Sequence, residues 1–537
     1  MDKVILIELS PSVPNLGKFI VMPRYGMLAI ASILSDRTDY DVSLLFQPYV
    51  GSIDIESIAQ EGPKFILVNG LTTTALENEI FLARLRERLE GDVPIIAGGE
   101  HATMFPEEAK RYADYLLAYE GDDTVVMLLS ALEEKDPVSR DSLLSQVPGL
   151  HYRDLSGKWR FNQDAARVQA IDYRYDFTIV PGAESAGKRF RTGHMPIQTS
   201  RGCKFSCSFC TWISLFGKSG YYVRPIEDVL HDIVHTVEYT GIKNFVICDN
   251  LFAGDVAYTE ELMHQVIRAF EGRAEKPVMT ALCRADQFAG GPGSIPEKTI
   301  KLMARAGLAN ACLGLESINS RSLIQMRKRT ELQKYYVAIE NIRKGGIAVP
   351  ATFVAGFDGD SYEDVVNIAE FGERVGLFNI QVYARSIAPG TVDDMLSEGR
   401  NIPGGFNKYR NGHAVNILPA RMLPSDLQRA VFEAPYRFHR GSDIKDRLAL
   451  RAFQMIWNGL EPHYEGLRML EKEVLVPEGI YTSSGTGYVL NDKALHALVE
   501  DEERYDAYAR RAAAIFRNAD RVAPAQFGQP MEATATA

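Results

Sequence analysis

Two runs of strict strand-and-helix alternation constrain the fold of this chain more than any single motif does. From Met1 to about Lys135 the series reads VILIEL, YGMLAIASILSD, DVSLLF, KFILVNG, ALENEIFLARLRERLEG, VPIIAGG and DYLLAY. Short β-branched runs separated by helical patterns imply parallel strands with helices on both faces, and about five strands fit a doubly wound sheet of the Rossmann or flavodoxin type. Ligands of such sheets bind beyond the carboxyl ends of the strands. The candidate contacts are therefore the loops holding Leu71, Thr72, Thr73 and Thr74, then Gly98, Gly99 and His101, then Glu120 to Asp122.

The second series runs from about His194 to Met395, with strands MPIQTS, NFVICD, PVMTALC, NACLGLE, AVPATFVA and NIQVYARS. Its helices carry their own punctuation. PIEDVLHDIVHTVEYTG has proline in its first turn and glycine at its end, and SYEDVVNIAEFGERVG has a serine cap and a glycine stop. Such a (β/α)6 series predicts a partial TIM-type barrel with its chemistry at the carboxyl ends of the strands. The expected division of the chain is 1–135 for the first sheet, 136–193 for a connector, 194–395 for the barrel and 396–537 for a mainly helical, aromatic-rich region. The connector contains GLHYRDLSGKWRFNQ, a hairpin around a Ser-Gly turn, and reads as a linker. The closing APAQFGQPMEATATA, poor in bulky residues, is expected to fray.

Composition narrows the partners. No apolar run approaches the ~20 residues of a membrane span, and the first residues lack the pattern of an export signal. Cytoplasmic location without an integral membrane segment is expected. The formal charge of −11 comes from interspersed acids and bases, which argues against nucleic acid as a partner.

The chain has six cysteines, and three of them, Cys203, Cys207 and Cys210, stand together in SRGCKFSCSFCTWIS just after the first barrel strand. A cluster of this kind in a large chain reads as a metal or redox site rather than a disulfide framework. A structural zinc site wants four protein ligands, usually from two paired knuckles, and the second knuckle is missing. Cys248, Cys283 and Cys312 are scattered singly. Three thiolates can instead hold three irons of a four-iron cluster and leave the fourth open.

C-x3-C-x2-C with Phe209 before the last cysteine, placed at the head of a six-fold β/α series, resembles the signature of the radical S-adenosylmethionine superfamily. Further segments are similar to that family's strand-end motifs: CDNLF after strand two, CRADQF after strand three, LGLES after strand four, AGFDGDS after strand five and APGT after strand six. The resemblance implies that Cys203, Cys207 and Cys210 ligate a [4Fe-4S] cluster. It implies that the Phe209 segment, Asp249, Arg284, Glu316 and Ser317 line the pocket for S-adenosyl-L-methionine. The residues alone leave another role open for Arg284 and Glu316, a mutual ion pair on the barrel rim.

The first sheet, with PRYGMLAIASIL after its first strand and GGEHAT after its fourth, resembles the cobalamin-binding domains of cobalamin-dependent radical enzymes. That likeness makes Leu71, Thr72, Thr73, Thr74, Gly98, Gly99 and His101 candidate cobalamin contacts, with glycine permitting close backbone approach. No Asp-x-His-x-x-Gly occurs, so His101 is read as a tail contact or loop histidine and not as an axial ligand. The activity this implies is methyl transfer to an unactivated carbon of a small-molecule or lipid-like substrate, through a 5'-deoxyadenosyl radical and methylcobalamin. An electron donor such as flavodoxin or ferredoxin would reduce the cluster. Oxidation, ring contraction or cyclisation without methyl transfer, a first domain without cobalamin, and a noncatalytic iron-sulfur scaffold are the alternatives. Substrate identity and oligomeric state are not written in these motifs.

Minor features have plain readings. AGGPGS is a turn-rich insertion, and Asp358 and Asp360 are expected to cap the following helix rather than bind metal. Cys248 reads as a small hydrophobe, the C-terminal aromatics as helix core, and SSGTGYVLND as a surface loop.

Overall fold

The computed structural model describes residues 1–11, 20–163, 171–190, 192–212, 220–397, 399–403, 412–441, 443–485 and 487–522. The first five strands, β1 (Lys3–Glu8), β2 (Asp41–Phe46), β3 (Phe65–Asn69), β4 (Ile95–Gly98) and β5 (Tyr115–Leu117), are parallel and lie in the order β2-β1-β3-β4-β5. Alternation along β1 shows why both faces are covered. Ile5 and Ile7 enter one small core with Ile66, Val68 and Leu82, while Val4 and Leu6 enter a second core on the opposite face.

The hairpin expected in the connector forms as β6 (Leu150–Arg153) and β7 (Trp159–Phe161), but it is not a free linker. β6 pairs antiparallel with β5 and extends the first sheet. The rest of the described connector is also packed. Tyr173, Tyr175 and Phe177 are buried in the core shared by the first sheet and the barrel. Arg224 lies 4.2 Å over the Tyr173 ring and pairs with fully buried Asp232 at 2.8 Å, and Asp232 accepts the Tyr175 N–H. A linker reading fails here because aromatic residues at alternate positions give it a face to bury.

Six further parallel strands form an open sheet: β8 (Met195–Ile197), then, beyond the short β9 (Ser200–Arg201) and β10 (Tyr222–Val223) pair, β11 (Asn244–Ile247), β12 (Val278–Arg284), β13 (Leu308–Glu316), β14 (Pro350–Ala355) and β15 (Asn379–Ala384). Strand order follows chain order, as a partial barrel requires. Residues facing the helices, such as Ala311, Leu313 and Leu315, are buried. Those facing the lumen, such as Cys312, Gly314 and Glu316, are only partly so, and Leu282 keeps 48% of its surface. The helix Ile226–Thr240 begins after Pro225 and stops at left-handed Gly241. Ser361 caps its helix as expected.

The C-terminal helices Pro424–Phe438 and Ile444–Leu470 pack together, the first of them beside β15. Phe432, Trp457 and Phe453 lie among these helices, in agreement with a core reading. The segment expected as a loop is a hairpin of β16 (Tyr481–Ser484) and β17 (Gly487–Leu490). Thr486 and the tail from residue 523 lie outside the described residues. No helix among the described residues is long and apolar enough to cross a membrane.

Candidate active site

Between the carboxyl ends of the first sheet and those of the barrel lies a cavity of about 600 Å³. Leu71, Gly98, Gly99 and Glu120 line it from the sheet, and Cys210, Trp212, Cys248 and Asn250 line it from the barrel. A second cavity of about 510 Å³ adjoins it, lined by Thr72, Thr73 and Phe105, by Phe209, by Ile387 to Pro389 after β15, and by Ile402 and Asn416 of the C-terminal region. Arg24, Leu71, Glu100 and Thr211 border both.

The cysteine loop is shaped by its neighbours. Gly202 sits at φ +100°, where a side chain would strike the Gly220 carbonyl, and its N–H donates to Asn250 Oδ1 at 3.2 Å. Ser208 N–H donates to the Met326 carbonyl at 2.9 Å, and its hydroxyl donates to the Gln325 carbonyl at 3.1 Å. Arg284 lays its guanidinium 3.7 Å over the Phe205 ring, and its Nη1 reaches Cys207 Sγ at 3.4 Å. Burial pushes the Cys203 thiol up, while the Phe205 N–H, Arg284 and Lys328 pull it down. All three loop cysteines are free and partly exposed. Among the described residues no three potential metal-binding side chains converge on one point. A four-iron cluster needs no such convergence, since each thiolate meets its own iron. Three free thiols beside a guanidinium fit such a cluster.

Arg284 and Glu316 do not pair with each other. Arg284 Nη2 binds Asp286 at 2.7 Å and the Lys328 carbonyl at 2.7 Å, while Glu316 takes the Lys328 ammonium at 2.7 Å. A shift in strand register after Gly314 and a positive φ of 67° at Glu316 turn that side chain back into space only a glycine at 314 leaves open. Ser317 Oγ accepts the Asn319 N–H at 2.9 Å and is mostly buried.

Asp249 is not in the lining of either cavity. It is buried, and its carboxylate accepts the Thr199 N–H at 2.7 Å, the Thr199 hydroxyl and the Ser200 hydroxyl at 2.6 Å. Burial pushes its carboxyl up to about 6 against these hydrogen bonds. It braces the strand entering the cysteine loop from behind, and Cys248 and Asn250 face the cavity instead.

The sheet side brings three glycines together. The Gly70 N–H donates to the Gly98 carbonyl at 2.6 Å, and a Cβ on Gly70 would lie 2.6 Å from that oxygen. Gly99 holds φ +94°, with its Cβ position 3.1 Å from Asn69 Oδ1. Gly98 itself has room for a Cβ, so the tight approach belongs to Gly70, which sequence reasoning did not single out. This bare backbone floor, with the apolar groove of Ile30, Leu67, Ile96 and Val125 beneath it, fits a large planar ring carrying a tail.

Two of the expected sheet contacts stand back from the cavities. Thr74 is buried, its hydroxyl directed to the Leu71 carbonyl at 3.4 Å. His101 is fully buried, with Nδ1 3.4 Å from the Thr72 hydroxyl and Nε2 3.8 Å from Glu108. It is a packed loop histidine. Asp358 and Asp360 do not cap either: Asp360 accepts the Gly356 and Phe357 N–H groups, each at 3.0 Å, and Asp358 pairs with Arg400.

One network escaped the sequence. Arg201 of β9 reaches across to Glu120 at 3.2 Å and to Asp122 through two bonds of 3.0 and 3.1 Å, and also to Gln198 at 3.0 Å. It ties the loop after β5 to β9 along the lining of the first cavity. Its signal, an arginine beside the first glycine of the loop, has its acidic partners, Glu120 and Asp122, far upstream in the chain.

Comparison with known proteins agrees with this geometry. Residues 197–372 match the family model described as the Radical SAM superfamily, and residues 19–129 match the B12 binding domain. A bacteriochlorophyllide d C-12(1)-methyltransferase of Chlorobaculum tepidum is 32% identical over 379 residues, covering 69% of this chain and 74% of that protein. An anaerobic magnesium-protoporphyrin IX monomethyl ester cyclase of Synechocystis is 26% identical over 374 residues, covering 66% and 69%. The fold also matches the cobalamin-dependent S-adenosylmethionine radical enzyme OxsB, solved with aqua-cobalamin and S-adenosylmethionine, with a TM-score of 0.63 and 16% identity over 97% of this chain and 79% of that one. The chain belongs to the cobalamin-dependent radical S-adenosylmethionine enzymes, whose cofactors are a [4Fe-4S] cluster, S-adenosylmethionine and cobalamin.

Proposed function

We propose that this enzyme is a C-methyltransferase acting on an unactivated carbon of a small molecule. The observation that carries the reading is the single cavity bordered by Cys210 of the cluster loop and by Leu71, Gly98 and Gly99 of the sheet. A substrate held there would meet both cofactor-bearing sides at once. Cys203, Cys207 and Cys210 hold the cluster in this reading. Phe209, Arg284, Glu316 and Ser317 shape the S-adenosylmethionine pocket, and Leu71, Thr72, Thr73, Gly98 and Gly99 border the cobalamin. Bound cluster and S-adenosylmethionine supply radical generation, and bound cobalamin supplies a methyl carrier. The chain's own residues exclude water and orient: Phe209 stands 6.1 Å from Phe357 in edge contact, and Trp212 adds an aromatic face to the cavity lining.

The proposed division of labour follows the expected limits, with 1–135 carrying cobalamin, 136–193 connecting, 194–395 carrying the radical chemistry and 396–537 capping the substrate. Ile402 and Asn416 on the wall of the second cavity support the capping role. A cytoplasmic location and a small protein electron donor complete the reading. The cyclase among the relatives favours a second one, radical oxidation or ring closure without methyl transfer. Product analysis under anaerobic turnover separates them. Methyl transfer requires S-adenosylhomocysteine and 5'-deoxyadenosine to accumulate together with methylated product. Deoxyadenosine alone rejects it.

A further inference from the structure

We infer that the segment from Arg321 to Arg329, together with Met395, is the docking surface for an acidic flavodoxin that reduces the cluster. The inference rests on the reading that a carrier protein serves this enzyme.

Apart from the initial methionine, Ile324 and Met395 are the two most exposed large apolar side chains among the described residues, at 77% and 71%. Both stand beside the cysteine loop. Ile324 lies on the helix Ser320–Gln325, whose last carbonyl receives the Ser208 hydroxyl, and the Asp393 N–H donates to the Ser208 carbonyl at 3.0 Å, two residues before Met395. Ser208 itself sits between Cys207 and Cys210.

Positive charge flanks Ile324. Arg321, Arg327 and Arg329 are exposed, and among the described residues none has an ion-pair partner. The chain as a whole carries −11, so three unpaired guanidiniums in nine residues are a local inversion of its field. The nearby Asp358 does not offset them, being held by Arg400.

The backbone enforces the arrangement. Arg327 and Arg329 both take left-handed conformations, with φ of 51° and 55°, which cost non-glycine residues energy and persist where the surroundings impose them. Between them Lys328 turns inward, its ammonium on Glu316 and its carbonyl on Arg284, which touches Cys207. The loop therefore presents two arginines outward while its interior braces the cluster ligands. An exposed isoleucine flanked by arginines, with an exposed methionine also beside the cysteine loop, suits a partner with an apolar redox edge bordered by carboxylates. A flavodoxin offers that surface through its flavin. In the transfer one electron leaves the partner's reduced flavin and enters the oxidised cluster, and no proton or group crosses.

The test uses anaerobic holoenzyme and a purified reduced flavodoxin. The variant combines Ile324→Ser, Arg327→Asn and Arg329→Asn, because asparagine tolerates the left-handed conformation. At low ionic strength its Kd for flavodoxin should rise at least about tenfold, with a flatter salt dependence than the parent. Flavodoxin-driven S-adenosylmethionine cleavage should fall alongside, while dithionite-driven cleavage stays at the parental rate. An unchanged Kd in a parent that flavodoxin reduces overturns the surface and leaves the carrier reading intact. Equal loss with dithionite overturns it in favour of a structural role. A parent reduced by ferredoxin but not flavodoxin overturns the partner, and one reduced only by dithionite overturns the carrier reading itself.

Discussion

The two units that flank the central cavity are built of opposite materials. The first sheet offers bare backbone, with Gly70, Gly98 and Gly99 crossing at its strand ends and an apolar groove below. On the barrel side the cysteine loop is braced by charge: Arg284, Asp286, Lys328 and Glu316 are linked by contacts of 2.7 Å, and none of them belongs to the cavity lining. In the proposed function the difference follows from what each side receives. A large rigid ring needs atoms removed, whereas a compact anionic cluster and a zwitterionic sulfonium need fixed dipoles and charges that remain in place.

The sharpest way to break this comparison is at the cysteine loop. Cys207→Ala should abolish S-adenosylmethionine cleavage altogether and lower bound iron, while bound cobalt stays near the parental value. Metal analysis of anaerobically purified protein checks both. Loss of cobalt together with iron would mean that the two walls do not load separately.

The reciprocal change is Gly70→Ala. Its added methyl group would stand 2.6 Å from the Gly98 carbonyl, so the floor must open. Cobalt per chain should fall roughly tenfold, a shift of about 1.4 kcal/mol in binding, with iron retained. Cobalt retained at the parental level would show that the corrin does not rest on this crossing.

How much of this was legible depended on whether the signal was local. The six barrel strands and the cysteine loop were readable because each is a short run whose meaning lies within its own residues. The packed connector was missed because its burial depends on Asp232 and Arg224, some fifty residues downstream of Tyr175. His101 is the packed loop histidine that one of its two readings allowed, and the bonds of Asp249 to Thr199 and Ser200 were not legible because they join it to another strand's end, some fifty residues away. Gly70 was overlooked beside the more conspicuous Gly98 and Gly99, because its close contact is with another strand's carbonyl.

The joint between the walls is the next test. Arg201→Met removes the guanidinium from Glu120 and Asp122 while keeping much of the side-chain volume. Two nearly buried carboxylates would lose their shared cation, at a cost of about 3–5 kcal/mol. Chemical denaturation should show this as a lower midpoint. A separate early transition of the first sheet would show that Arg201 couples the two units, and an unchanged midpoint would remove it from the account of the interface.

The last test concerns Asp249, where two readings of the barrel side diverge. Its carboxyl titrates near 6 in the folded protein because of burial, above its ordinary 3.8. Between those values the folded state binds more protons than the unfolded state, so this group makes stability fall as pH rises from about 4 to about 6, by no more than about 3 kcal/mol. Glu8, Asp360 and Glu471 are shifted upward by burial too and contribute a background slope of the same sign. Asp249→Asn should flatten the Asp249 share of that slope, measured as denaturation midpoint against pH. S-adenosylmethionine affinity should change little, since the residue's oxygens already serve Thr199 and Ser200. A large loss of affinity at an unchanged midpoint would return Asp249 to the cofactor pocket and turn the brace into a contact.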